Sequence, residues 1–216
     1  MGTTIKIGVF LTLINIVNVA HAEEPAMPDA ESLDRLLRGE VTVETIREDE
    51  SGGAARFEIY MAAPVEKIWD VIFSCENAFV FLDGLKICEV IEDDGIHTLT
   101  RQVVKTSWLL PKQDYTFRTL REPYRRADFE RVEGSPKVME GSWQFVPLQD
   151  GVLTIHEIRI RPDVPTPRFI IRRLMKKSMP EMLACMRSMA GGSLNEEQAR
   201  EDRRSCPGEN RDRQGR

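Results

Sequence analysis

No HExxH, GxSxG, P-loop or glycine-rich dinucleotide motif occurs in this sequence, which excludes the usual metalloprotease, serine-hydrolase and nucleotide-binding machineries. Histidine is scarce, and beyond residue 22 only His97 and His156 remain. Chemistry built on imidazoles has little to draw on, and no metal or cofactor is expected. The four cysteines include no CxxC pair, which removes a zinc ribbon and a thioredoxin-type site. An excess of positive charge is missing too. The formal net charge is -5, which argues against general nucleic-acid binding, although one basic face is compatible with it. No apolar run reaches the ~20 residues of a membrane span, and no internal repeat is visible.

What is present is an ordinary globular balance, 41% apolar and 30% charged, enough to bury a core without staples. Residues 1–22 read as a signal peptide. Lys6 supplies positive charge, and Ile7–Ala20 is apolar apart from Gly8, Thr12, Asn15 and Asn18. Ala20-His21-Ala22 then supplies small residues for cleavage after Ala22. An uncleaved anchor is the alternative, disfavoured by the shortness of the run. Cleavage makes the mature protein soluble and periplasmic or secreted, where disulfides form. Cys75 and Cys88 close the shortest loop and are the first expected pair. Cys185 reads equally well as a buried helical thiol, and Cys206 lies in a polar tail.

Residues 23–40 read as a linker and a short helix, with Leu33, Leu36 and Leu37 at helical spacing before Gly39. Val41–Arg47 and Ala55–Met61 alternate like strands around the Ser51-Gly52-Gly53 turn. Pro64 opens a helix whose Val65, Ile68, Trp69, Ile72 and Phe73 share one face. A second apolar turn, Phe79–Leu82, follows. Strands are expected near Leu85–Ile91, His97–Thr106, Tyr115–Arg121, Arg126–Val132, Gly141–Pro147 and Val152–Arg161. Their short turns imply an antiparallel meander. Arg168–Ala190 is helical and should be kinked or divided by Pro180. Residues 191–216, charged and nearly devoid of apolar side chains, read as a disordered tail.

A curved antiparallel sheet with one long helix across it leaves room between the layers. Met175, Met179, Met182, Met186 and Met189, beside Leu174 and Leu183, give that helix a flexible, polarizable stripe. The stripe reads as plain core or as the wall of an adaptable cavity. Trp143 and Phe145 share one strand face and either wall such a pocket or fill it.

Ala63-Pro64-Val65-Glu66-Lys67-Ile68-Trp69-Asp70-Val71-Ile72 resembles the opening strand-to-helix junction of the START/Bet v 1-like (SRPBCC) superfamily. That group includes START lipid-transfer domains, polyketide cyclases and coenzyme-Q-binding proteins. Leu110-Pro111-Lys112-Gln113-Asp114-Tyr115 is similar to a START segment, with Gln113 where an arginine is usual. Gly141-Ser142-Trp143-Gln144-Phe145-Val146-Pro147 and the closing helix complete the likeness, over residues 41–190. The resemblance implies an α+β helix-grip fold: a curved antiparallel β-sheet wrapped around a long C-terminal α-helix, with two short helices after the first strand. It also implies an internal apolar cavity capped by that helix. The expected lining is Phe79, Phe81, Val104, Trp108, Phe117, Trp143, Phe145, Met175, Met179, Met182 and Met186.

Polar anchors are sought among Arg101, Arg118, His156 and Glu157. His156 and Glu157 are adjacent on a strand, so only one can face inward. An inward arginine needs a carboxylate partner. The basic cluster Arg168, Arg172, Arg173, Lys176 and Lys177 is either a solvated face or a contact for anionic lipid head groups. The expected partner is an apolar small molecule or lipid, with transient contact to an anionic membrane and no nucleic acid. An enzyme of the cyclase or dehydratase kind, or a protein-interaction module of the cell envelope, are the alternatives.

Overall fold

The computed structural model describes residues 26–49, 52–105, 111–148 and 150–208. The signal-peptide expectation at residues 1–22 and the cavity expectation at Trp108 lie outside the described residues. Eight strands form one antiparallel sheet: β1 (Val41–Asp49), β2 (Gly52–Met61), β3 (Leu85–Asp93), β4 (His97–Val104), β5 (Gln113–Glu122), β6 (Arg126–Gly134), β7 (Val138–Leu148) and β8 (Gly151–Arg161). Their order is β1-β2-β8-β7-β6-β5-β4-β3. From β3 onward each strand pairs with the next, as short polar turns dictate. The exception is the passage from β2 to the opposite edge, made by α2 (Val65–Phe73) and α3 (Cys75–Phe81). Register shifts in β1, β3 and β6 mark bulges that bend the sheet.

Alternation in β2 decides the two faces. Ala55, Phe57, Ile59 and Met61 are buried on the inner face, and Arg56, Glu58 and Tyr60 lie opposite. Direct pairing carries the inner face across the sheet, from Phe57 to His156, Trp143, Ala127 and Arg121. The helices α4 (Arg168–Arg173) and α5 (Met179–Met189) complete the layer over that face, joined by a π-helical turn at Leu174–Ser178. This is the α+β helix-grip fold. The break in the long helix falls just before Pro180 rather than at it. The proline has no N–H and its ring crowds the carbonyl four residues back, so the preceding turn widens.

Two further elements seal the ends. α1 (Ala30–Leu37), capped by the Asp29 carboxylate on the Ser32 amide at 2.8 Å, is docked rather than free. Its Leu36 is fully buried with Tyr60, Leu153 and Ile155 on the outer face. Residues expected to form a disordered tail instead contain α6 (Glu196–Arg204), started by Asn195 accepting from the Gln198 amide. Composition argues for disorder because α6 has little to bury by itself. Order comes from distant partners: Cys206 is joined to Cys185, and Asp202 to Arg187. The second disulfide, Cys75–Cys88, ties the start of α3 to β3. Cys185 is therefore not a buried thiol, and all four cysteines are paired.

Candidate functional site

The close backbone approaches of the helices to the sheet are at its two edges. α4, the π turn and α5 pack on β1 and β2, and α3 packs on β3. The methionines divide accordingly. Met175, Met179 and Met186 are buried, and Met182 is half-buried against the core. On the sheet, Trp143 and Phe145 are buried, and Trp69 of α2 lies between Phe145 and Phe73 at centroid distances of 5.5 and 4.4 Å. Farther out, Phe117, Phe129, Met139 and Ile158 also face inward yet are only half-buried. Phe129 lies over Gly141, where a Cβ would stand 2.8 Å from its Cζ. The layers close tightly along β1, β2 and the start of β3. On β5, β6, β7 and β8 the inner apolar side chains Phe117, Phe129, Met139 and Ile158 stay partly open, as does Met182 on α5.

Polar groups are set into this apolar face. His156 is the inward member of the His156–Glu157 pair. Its ring stacks on Trp143 at 3.8 Å and 13°, with Phe57 and Phe129 at 6.1 and 5.9 Å. Its Nδ1 lies 3.1 Å from the Ser142 carbonyl oxygen. That oxygen only accepts, so Nδ1 carries the proton and Nε2 is left as an acceptor. Burial pulls the His156 pKa down to about 4, outweighing the opposing hydrogen bond to Ser142, so the ring is neutral at physiological pH. The Tyr115 hydroxyl donates to Gln102 Oε1 at 3.0 Å, and burial pushes its pKa well up. The hydroxyls of Thr98 and Thr154 are buried on the same face without a hydrogen-bond partner. Arg121 lies across the Phe73 ring, 5.8 Å from its centroid, and pairs with Asp93 at 3.3 Å.

Several expected site residues stand elsewhere. Arg101 is on the outer face, held by both carboxylate oxygens of Asp114 at 3.0 and 2.9 Å. Arg118, also outside, pairs with Glu130 at 3.5 Å. Glu157 joins Arg56 at 2.9 Å in an outer-face network with Glu58. None of the three reaches the interior, because strand alternation puts them opposite His156 and Phe117. Phe79 is exposed, while Ala78 and Phe81 form the buried side of α3. Val104 and Phe81 are buried in the main core. Arg168, Arg172, Arg173, Lys176 and Lys177 are all exposed on the outer side of α4 and the π turn. The inward polar residues Thr98, Gln102, Arg121 and Thr154 carry no sequence motif, and Tyr115 ends the START-like segment without being marked there as an inward residue. Only the register, counted from Phe57, reveals them.

The family described as "Polyketide cyclase / dehydrase and lipid transport" matches residues 61–187. Among solved structures, the chain is similar to a protein from Thermus thermophilus at 22% identity and a TM-score of 0.53, covering 66% of this chain and 99% of that one. It is also similar to a STAR-related lipid transfer protein from Xanthomonas axonopodis, at 15% identity and a TM-score of 0.60, covering 70% and 93%. The Zhui aromatase/cyclase from a Streptomyces species matches at 16% identity and a TM-score of 0.55, covering 67% and 96%. Among curated proteins, none matches the chain.

Proposed function

Because the chain belongs to the polyketide cyclase / dehydrase and lipid transport family, we propose that it is an exported carrier holding one apolar ligand between the sheet and the long helix. The observation that carries this reading is the half-buried apolar set Phe117, Phe129, Met139 and Ile158 on the inner face of the sheet, with Met182 of α5 half-buried against the same core. Well-packed cores leave few such side chains reachable. Filling that space with an apolar molecule removes their remaining surface from water, at about 25 cal/mol per Å² before the costs of association. The unpartnered Thr98 and Thr154 hydroxyls and the His156 Nε2 acceptor would then meet scattered oxygens or hydroxyls on the ligand. Export is supported by the leader-like first 22 residues and by two disulfides, which persist in oxidising compartments.

Native mass spectrometry after mild purification, followed by organic extraction, tests this. The expected result is a protein carrying one adduct of lipid size. Met182→Trp should fill the gap, keep the fold, and lower adduct occupancy about tenfold, the overpacking penalty falling on the ligand. Protein that is repeatedly free of lipid, and that binds nothing on a lipid array, overturns the reading.

A second reading, a cyclase- or dehydratase-type enzyme, is favoured by one feature: a neutral imidazole on the inner face with Nε2 free to take a proton. It requires His156→Ala to abolish turnover in a folded protein. A change in ligand affinity alone supports the carrier.

A further inference from the structure

We propose that the outward side of α4 and the π turn docks on an anionic lipid bilayer, with Phe169 inserted among the acyl chains. Phe169 is 69% exposed, the most exposed large apolar side chain among the described residues. It cannot be relieved by turning the helix. Ile171 and Met175 pin the opposite side to the sheet at Gly53, where a Cβ would come within 2.8 Å of Ile171 Cγ2 and 3.0 Å of Met175 Cε. Two residues along a helix is a rotation of about 200°, so burying Ile171 obliges Phe169 to face away. Val164, just before the helix, and Ile46, on the edge strand that α4 packs against, are exposed as well.

Along the helical segment itself the charge is of one sign. From Val164 to Ser178 the chain carries five cations, Arg168, Arg172, Arg173, Lys176 and Lys177, and no acidic residue. All five are exposed, Lys177 with Glu181 3.8 Å away. An exposed aromatic in the same stretch as exposed arginines and lysines, on a helix whose other side is buried, has the make-up of an interfacial anchor. A soluble polyanion would use the cations and leave Phe169 in water, so the phenylalanine selects the bilayer. This goes beyond ligand holding and does not depend on it, because docking is read without cargo. The same end of the sheet places Gly53, Ile160 and Met139 side by side, Ile160 and Met139 half-buried. A docked membrane would therefore lie beside the apolar interior.

The test is co-sedimentation of the full chain with vesicles of equimolar phosphatidylcholine and phosphatidylglycerol, against vesicles of phosphatidylcholine alone. Binding is expected to the first and not the second, and to be lost in high salt. Phe169→Ala should weaken it about tenfold, the loss of one buried aromatic. The triple change Arg173→Glu, Lys176→Glu, Lys177→Glu should weaken it about a hundredfold or more, each cation counting for about fivefold near an anionic surface. Phe169→Trp gives an independent readout: its added emission should move to the blue when the mixed vesicles are present. Absence of binding to the mixed vesicles, equal binding to both kinds, or an unshifted emission overturns the proposal. So does binding to heparin as strong as to the mixed vesicles and unaffected by Phe169→Ala, which would mark a simple polyanion contact.

Discussion

Asp202→Ala is expected to cost about 3–5 kcal/mol of folding stability, a fall in melting temperature of about 10 °C. The size follows from what the change leaves behind. Arg187 on α5 is only 3% exposed. Its Nε and Nη2 donate to Asp202 Oδ2 and Oδ1, both at 2.8 Å, while Nη1 donates to the Gly39 carbonyl at 2.9 Å. Removing the carboxylate strands a buried guanidinium with one carbonyl for company. It also strips the Ser193 hydroxyl of its acceptor at 2.7 Å. The Cys185–Cys206 bridge keeps α6 tethered but does nothing for that charge. Replacing both partners, Arg187→Met with Asp202→Leu, should restore most of the loss, since an apolar pair of similar volume carries no desolvation penalty. Urea unfolding of the two variants is the measurement. A single variant within about 1 kcal/mol of the parent would mean that the pair is not holding α6 in place.

That pair also shows where sequence reading stops. Arg187 and Asp202 are fifteen residues apart, and Arg187 and Gly39 are separated by 148. Composition in a window around Glu196–Arg204 sees only charge and assigns coil. The inner face of β2 is legible because Ala55, Phe57, Ile59 and Met61 alternate with polar residues, and period two admits only one solution. Trp143 and Phe145 are legible for the same reason. Arg101 and Arg118 are not. Both lie on strands of mixed polarity, where alternation does not say which face is the inner one. Only the pairing chain back to Phe57 puts them outside. Phe79 misleads differently. Four successive apolar residues read as one inward run, whereas a helix turns about 100° per residue and can bury only Ala78 and Phe81.

Stability should fall by about 3 kcal/mol between pH 7 and pH 4 on account of His156 alone. Stacking on Trp143 favours the imidazolium, a cation–π effect of up to about 2 kcal/mol. Complete burial opposes it and is the larger influence, with shifts of up to about 3–5 pK units. The folded pKa is about 4, against about 6.5 for an unfolded histidine. Between those values the unfolded chain binds the proton and the folded one does not, so stability is full above about pH 6.5 and drains away as the pH drops toward 4. Asp94 and Asp114 do not blur this window. Backbone amide donors hold the first carboxylate below its ordinary range, and Arg101 holds the second, so their contribution is lost only in stronger acid. The measurement is urea unfolding at pH 7.5, 6, 5 and 4.5 on the parent and on His156→Phe, which keeps a ring against Trp143 and cannot titrate. The parent should lose stability steadily through the series while the variant stays level. A parent that is flat from pH 7.5 to 4.5 would show that His156 is reached by water. The neutral Nε2 acceptor on the inner face, and with it the polar half of the ligand site, would then have to be given up.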